Sequence, residues 1–349
     1  MTPEFLDELL SVNNFAIFDG YAKAQSVLGR HSEVLCSISG GSDSDIVIDI
    51  LSHVETTGTI HYCFFDTGLE FEATKEHLDF LEQKYGIWIE RVKAEKSIPA
   101  CVREYGVPFL SKYVSEQMMR LQAHGFKWED KPLQVLMQEY PNCKTALQWW
   151  CNAYYSDEKG VVSMSRFSIN RNRFLKEFIM QNPPDFPISN KCCEFAKKKP
   201  AKLILKKYDA DLDITGIRKA EGGIRSANFK TCFSPSKAKG CDTYRPIFWY
   251  TDGDKKEYEQ HFGVVHSRCY SEYGMKRTGC AGCPLNPRIN DELAVIREHE
   301  PKLYRAAMFV FGKSYEYTRK YREFQKMMKA KEKAEKKAMQ EAQKNAASV

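Results

Sequence analysis

The sequence predicts an α/β protein with a doubly wound parallel sheet, a helical insertion and C-terminal helices. Three observations carry this. Short apolar runs at 33–38, 59–65 and 87–92 end in polar turns and alternate with helix-period segments at 45–51 and 74–85, the alternation that builds βαβ units. A stretch from about 99 to 187 then reads as helical and aromatic, with Trp128, Trp149 and Trp150. Helix and strand character returns at 199–207 and 212–217.

Taken in order, residues 1–30 read as helical, with Phe5, Leu6, Leu9 and Leu10 on one face. The run EVLCSI at 33–38 ends in Ser-Gly-Gly, and a helix starts directly after the glycines. TIHYCFF at 59–65 is a second buried strand, ending at Asp66-Thr67-Gly68. The helix at 74–85 is stopped by Gly86. Residues 219–245, rich in Gly, Ser and Lys, read as a loop, 254–262 as a helix, and the chain to Pro284 as a cysteine-bearing loop. From 291 on it is helical, and beyond Lys326 nearly all Lys, Glu, Ala and Gln, a solvated helix. The expected organisation is an α/β part at 1–98, a helical insertion at 99–187, the second half of the α/β domain with a cysteine site at 188–290, and a helical extension at 291–349.

A hydrophobic content of 43% in 349 residues supplies a core, and the net charge of +6 suits an anionic partner. No segment approaches the roughly 18 apolar residues of a membrane span, and the N-terminus lacks the basic and apolar regions of a signal peptide. The expectation is a cytoplasmic protein without a membrane partner. Its oligomeric state is not legible. Twelve cysteines in a reducing compartment point to metal or catalytic chemistry rather than disulfides. Cys36 and Cys63, inside strand-like runs, read as inert core.

Ser39-Gly40-Gly41-Ser42-Asp43-Ser44, set between a strand and a helix, is a physical anion trap. Glycines let the backbone approach oxygens, and helix N-terminal N–H groups and hydroxyls donate to them. It is neither a Walker A loop nor GxGxxG. The plain alternative is a turn in which Ser42 or Asp43 is an ordinary N-cap. Asp66-Thr67-Gly68, at a second strand end, favours the ligand reading, because open α/β sheets bind ligands at that edge.

With these residues the chain resembles the PP-loop ATP pyrophosphatase superfamily, and within it the phosphoadenylyl/adenylyl sulfate reductase family. The resemblance implies that Ser39 to Ser44 form the phosphate loop and that Asp66, Thr67 and Gly68 complete the nucleotide site. The stretch DTGLEFEAT at 66–74 is similar to the family's, with Glu72 where proline is common. Ile214-Thr215-Gly216-Ile217-Arg218-Lys219 resembles the strand and arginine-bearing turn that contacts the nucleotide, with Arg225 a second anion-binding candidate.

Cys280-Ala281-Gly282-Cys283 fits zinc, iron–sulfur or redox chemistry taken alone. With the tandem Cys192-Cys193 it supplies four thiolates, the number a [4Fe–4S] cluster takes. The cluster-containing branch of the resembled family carries this Cys-Cys and CxxC pattern, which implies one [4Fe–4S] cluster on Cys192, Cys193, Cys280 and Cys283. Lys197, five residues after Cys192, matches a lysine beside cluster and substrate, and it and Asp43 are the catalytic candidates. The rival is zinc on His266, Cys269, Cys280 and Cys283, spaced H-x2-C-x10-C-x2-C. Cys143, Cys151, Cys232 and Cys241 read as structural.

The resemblance implies an enzyme that binds an adenine nucleotide, whether ATP, adenylyl sulfate (APS) or phosphoadenylyl sulfate (PAPS), and acts in sulfonucleotide reduction or sulfur transfer with a sulfur or electron donor protein. The family's attacking thiol follows its CxxC, and no cysteine follows Cys283 here. That brings in a second reading, adenylation of a nucleic acid or small molecule for thiolation, with magnesium on Asp43 or Asp66. A third is a non-catalytic nucleotide and cluster sensor. Trp149-Trp150 with Arg166, Arg171 and Arg173 could present a nucleic-acid surface, but the core reading of the tryptophans is preferred.

Overall fold

The structure is a computed structural model that describes all residues except 1, 153–154, 157–161, 164–167, 223–227, 237–239 and 347–349. Its strands are β1 (Glu33–Ile38), β2 (Thr59–Asp66), β3 (Ile89–Lys93), β4 (Tyr155–Ser156), β5 (Val162–Ser163), β6 (Leu212–Thr215), β7 (Phe233–Ser234) and β8 (Asp242–Tyr244). Six form one sheet in the order β3-β2-β1-β6-β8-β7, and β4 and β5 pair separately. All neighbours in the large sheet run parallel except β7, which is antiparallel to β8.

The chain forms two compact units. The first comprises Met1–Pro99, Cys193–Ala281 and Asn290–Ala306 and contains the large sheet. A parallel sheet must be covered on both faces, and the side-chain alternation along β1 does this. Val34, Cys36 and Ile38 face the helices α1 (Pro3–Ser11), α2 (Phe15–Leu28), α3 (Ser42–Ser52) and α4 (Glu72–Tyr85), in one core with Tyr21, Ile46, Leu78 and Ile214. Leu35 faces the other side, with Cys63, Ile204 and Ala210. Cys36 and Cys63 are inert core thiols, as expected, and burial pushes both pKa values up, that of Cys63 to about 12.

Two local expectations change. The N-terminal helix is two helices, because Asn13 adopts φ 53° and the Asn14 side-chain Oδ1 accepts from the N–H groups of Ala16 and Ile17 at 2.9 and 3.2 Å. Phe5 and Leu9 are buried, whereas Leu6 and Leu10 are exposed. The segment expected as a loop at 219–245 contributes β7 and β8. Strands of two and three residues carry no periodicity of their own, and this pair exists because β8 docks on β6. Arg245, fully buried after β8, donates through Nη1 to Thr231 O, Cys232 O and Ser234 Oγ at 3.2 to 3.3 Å and so ties the excursion down.

The second unit comprises Ala100–Cys192, Gly282–Ile289 and Ala307–Val349. Helices Lys112–Ala123, Leu133–Glu139, Lys144–Trp150 and Leu175–Gln181 share a core with Tyr317 and Tyr321 of the long helix Pro301–Ala346. The tyrosine hydroxyls donate to Asn182 O and Arg173 O at 2.7 and 2.9 Å. Trp149 and Trp150 belong to this core, and the Trp150 indole donates to Glu129 O at 2.9 Å. They are not a stacking platform. Arg166 lies outside the described residues, and Arg173 pairs with Glu332. Among the described residues no helix is long and apolar enough to cross a membrane.

Removing Trp150 should therefore unfold rather than disarm. Trp150→Ala is expected to cost about 3–5 kcal/mol, the range for emptying a buried aromatic site, read by urea denaturation followed by circular dichroism. A loss under about 1 kcal/mol would mean that the indole is not packed as described.

Candidate functional site

β1 lies between β2 and β6, parallel to both. The chain leaves β1 towards β2 and β3, then returns on the opposite side of β1 as β6. Strand order thus reverses between β1 and β6, and open sheets bind ligands outside the carboxyl ends of strands at such a point. Ser39 to Ser44 follow β1, Asp66 to Gly68 end β2, and Gly216 to Arg218 follow β6, so one sheet edge gathers the described nucleotide-site candidates. Arg225 lies outside the described residues.

The loop is fixed by its own hydroxyls. Gly40 sits at φ 64°, where a Cβ would also strike Thr74 Cγ2 at 2.5 Å. Gly41 is the N-cap of α3, so neither Ser42 nor Asp43 caps it. Ser44 does that work from the third helical position, accepting from Gly41 N–H at 3.1 Å and donating to Gly41 O at 2.7 Å. The Ser42 N–H donates to the Tyr270 hydroxyl at 3.2 Å, and that hydroxyl is 3.0 Å from Thr278 Oγ1. A Cβ on Gly41 would lie 3.1 Å from both hydroxyls. Gly216 comes equally close from β6, where a Cβ would stand 3.1 Å from Asp43 O.

Asp43 lies between two cations. Its Oδ1 accepts from Arg218 Nε at 2.9 Å and from Lys255 Nζ at 2.7 Å. Arg218 also reaches Asp252 at 2.9 Å, and Lys255 also donates to Ser42 Oγ. A magnesium ion on Asp43 would have to compete with both cations. Asp66 Oδ1 accepts from Gly68 N–H at 2.9 Å.

Under the loop runs a buried ionic chain that the sequence did not announce. Lys255 Nζ is 3.7 Å from Glu259 Oε1, which is 2.9 Å from His266 Nε2. His266 Nδ1 is 2.7 Å from Asp45 Oδ2, and Asp45 Oδ1 is 3.0 Å from His77 Nε2. Asp45 is fully buried. The zinc expectation fails at this point. Both nitrogens of His266 are taken by carboxylates, and Cys269 is packed beside Phe71, Ala73 and Ile296 with its sulfur 3.8 Å from Thr74 Oγ1. Neither side chain is offered to a metal.

The sulfur side of the first unit is built on the end of β2. Glu70 Oε1 accepts from the Thr67 N–H and hydroxyl at 3.1 and 2.5 Å. Ala281 N–H donates to Leu69 O at 2.9 Å, which lays the CxxC loop against this turn. Cys280 is then in reach of Thr67 and Lys197, with Cys193 facing the same ammonium. Lys197 projects from a π-helical turn, Glu194–Lys198, directly after Cys193. Single π turns are common at functional sites. Burial opposes the Lys197 charge, but Cys280 and Glu70 outweigh it and hold the pKa up. Burial raises Glu70 against the pull of Thr67 and Lys197, and raises Cys280 against Lys197. Two thiols around one buried ammonium fit an anionic, thiolate-bound group. Cys192 and Cys283 fall in the chain segments of the second unit. Among the described residues no group of three or more His, Cys, Asp or Glu side chains is arranged to hold a metal ion, and no cysteine forms a disulfide.

Folding raises the His266 pKa from 6.5 to about 9, since Asp45 and Glu259 outweigh burial. Lys255 and His77 are the other ionisable neighbours of these carboxylates. A raised pKa stabilises the fold fully below the unfolded value, and that contribution is lost as pH climbs through the folded value. The shift corresponds to about 3 kcal/mol. Urea stability should fall between pH 6.5 and 9, and His266→Gln should flatten that slope. An equally steep slope in the variant would show that His266 does not carry it.

Part of the chain is similar to known proteins. Residues 33–130 match the model of the phosphoadenosine phosphosulfate reductase domain. An uncharacterized protein of Methanocaldococcus jannaschii is 40% identical over 75 residues, 22% of this chain and 15% of that protein's length. Among solved structures, a phosphoadenylyl-sulfate reductase from Candida auris, crystallised with phosphate, is 11% identical at a TM-score of 0.43, covering 80% of this chain and 96% of its own. The U34-tRNA thiolase NcsA from Methanococcus maripaludis, with its [4Fe–4S] cluster, is 11% identical at a TM-score of 0.36, covering 88% and 79%. Residues 33–130 are thus similar to the phosphoadenosine phosphosulfate reductase domain.

Proposed function

We propose that this chain is a PP-loop enzyme that binds an adenine nucleotide on Ser39 to Ser44, with Asp66, Thr67, Gly68, Arg218 and Arg225 completing the site, and acts in sulfonucleotide reduction or sulfur transfer. The supporting observation is Thr67, whose hydroxyl and N–H hold Glu70 while its side chain meets Cys280. Thiol chemistry and the nucleotide edge are thereby coupled through one residue at the end of β2. The nucleotide's phosphates or phosphosulfate would lie over the start of α3, where N–H groups and the cations beside Asp43 stabilise negative charge. Lys197 is the cation next to the group attacked or released, in a site partly closed to water.

Cys192, Cys193, Cys280 and Cys283 are the ligands we assign to a [4Fe–4S] cluster. The support is the thiol pair Cys193 and Cys280 at Lys197, the position of Cys192 one residue before the first, and that of Cys283 three after the second. When bound, such a cluster supplies electron transfer or a sulfur attachment point. The chain's own part is to hold an ammonium against the anionic site. Anaerobically prepared protein should contain about four irons per chain, and Cys193→Ser should lose most of them. One zinc per chain, unchanged in that variant, would remove the cluster from the proposal.

Two products separate the reactions. With adenylyl sulfate or phosphoadenylyl sulfate and a thiol reductant such as thioredoxin, reduction yields sulfite. With ATP, alone or with tRNA or DNA added, adenylation yields pyrophosphate. Sulfite alone would establish the reductase reading, and pyrophosphate alone the thiolation reading. Neither product, from protein that still binds nucleotide, would leave a sensor. Lys197→Met should lower whichever rate is found by about 100-fold, the scale of removing one oriented charge from a transition state.

A further inference from the structure

The phosphate loop has no lysine of its own, yet a lysine reaches it from 212 positions along the chain. Lys255 sits in the helix Asp252–His261, which follows β8. Its ammonium is mostly buried, donates to Ser42 Oγ and lies 2.7 Å from Asp43 Oδ1. An ammonium has three donors. Glu259, at 3.7 Å, is an ion-pair neighbour beyond hydrogen-bond distance. Two donors are therefore used and one is left, at the first turn of α3.

We propose that Lys255 is a phosphate-binding cation of the nucleotide site, held in place by a brace that runs from Glu259 through His266 and Asp45 to His77. The proposal rests on the nucleotide reading given above and adds a residue and a recognised group to it, an oxyanion of the phosphate chain.

The charges of the network support this. Arg218 and Lys255 share Asp43, and the second partner of Arg218 is the exposed Asp252 at 2.9 Å, while His266 lies between Asp45 and Glu259. Asp43 is shared by two cations, so arriving phosphate oxygens can take up charge that one carboxylate does not neutralise. The brace also explains the buried carboxylate. The Asp45 carboxylate is closed to solvent, and it holds His266, which holds Glu259, which lies 3.7 Å from the ammonium. His77 Nε2, from α4, lies 3.0 Å from the remaining Asp45 oxygen. Glu259 and His266 are positioning residues and Lys255 a binding residue. A purely structural lysine would also neutralise Asp43, but it would not distinguish ligands with phosphates from ligands without them.

Calorimetric titration of the full chain with ATP, inorganic pyrophosphate and adenosine provides that distinction. Lys255→Met should weaken ATP and pyrophosphate binding by about 10- to 100-fold, the range for one charge-assisted hydrogen bond, and leave adenosine unchanged. Lys255→Arg should restore most of the loss. His266→Gln, which keeps Lys255 but breaks its brace, should show a smaller loss of about 3- to 10-fold for the phosphate ligands only. Unchanged ATP and pyrophosphate affinity in Lys255→Met, or an equal loss for adenosine with a lowered melting temperature, would overturn the assignment. Failure of the wild-type chain to bind any of the three would instead sink the nucleotide reading itself.

Discussion

The ion pairs of Asp45 are the constraint on which the phosphate edge depends. A carboxylate with no solvent exposure is unfavourable unless cations or donors meet both of its oxygens. His266 hydrogen-bonds one oxygen and His77 lies 3.0 Å from the other, each from a different part of the chain. Because Asp45 sits in the first turn of α3, anchoring it anchors the helix start. The loop above the helix then has a fixed floor. His77 ties α4 to the same carboxylate, and His266 ties in the segment after the helix Asp252–His261. Three elements that never neighbour each other in sequence are thereby locked around one buried charge. Breaking such a pair leaves an uncompensated charge, which is more damaging than never having had it.

The parallel register of β1 with β2 and β6 decides what this floor supports. Ser37 is opposite Cys63 on one side and Thr215 on the other, so all three strands finish within a residue or two of one another. Each finish is then handled by a close-contact glycine: Gly40 and Gly41 after β1, Gly68 after β2 and Gly216 after β6. Where Gly216 meets Asp43 O, a methyl group would push the β6 turn, and with it Arg218, away from Asp43. Backbone proximity here is what lets side chains from separate strands share one carboxylate.

Much of this architecture was legible in the residues. Strands β1 and β2 and the helix Lys199–Lys207 stand out because apolar runs of the right length are bounded by polar turns. The glycine–serine loop stands out because few other roles need that composition between a strand and a helix. The illegible parts are non-local. β7 and β8 have no pattern without β6. Leu6 and Leu10 look equivalent to Phe5 and Leu9 until α1 is seen to end at Ser11. His266 and Cys269 have a metal-like spacing, but spacing cannot reveal that Asp45, 221 positions away, claims the imidazole first. Lys255 and Glu259 read as an ordinary surface pair at i and i+4; only the fold turns them towards the loop. The signal that was available is the pair Asp45 and Asp49, two acidic residues one turn apart among Ile46, Val47, Ile48, Ile50 and Leu51.

The two halves of the edge differ in how they manage charge, and the difference fits a division of labour. At the phosphate loop, two cations share one carboxylate, Asp43, and their other carboxylate partners, Asp252 and Glu259, flank them. At the end of β2, a single ammonium, Lys197, is shared by a carboxyl group and two thiols, and burial raises Glu70 and Cys280 towards their protonated forms. The first arrangement is preorganised for an anion that arrives from solvent. The second packs one ammonium, a carboxyl group and two thiols into a buried cluster. Thr67 stands where the two meet, bonded to Glu70 by backbone and hydroxyl and touching Cys280.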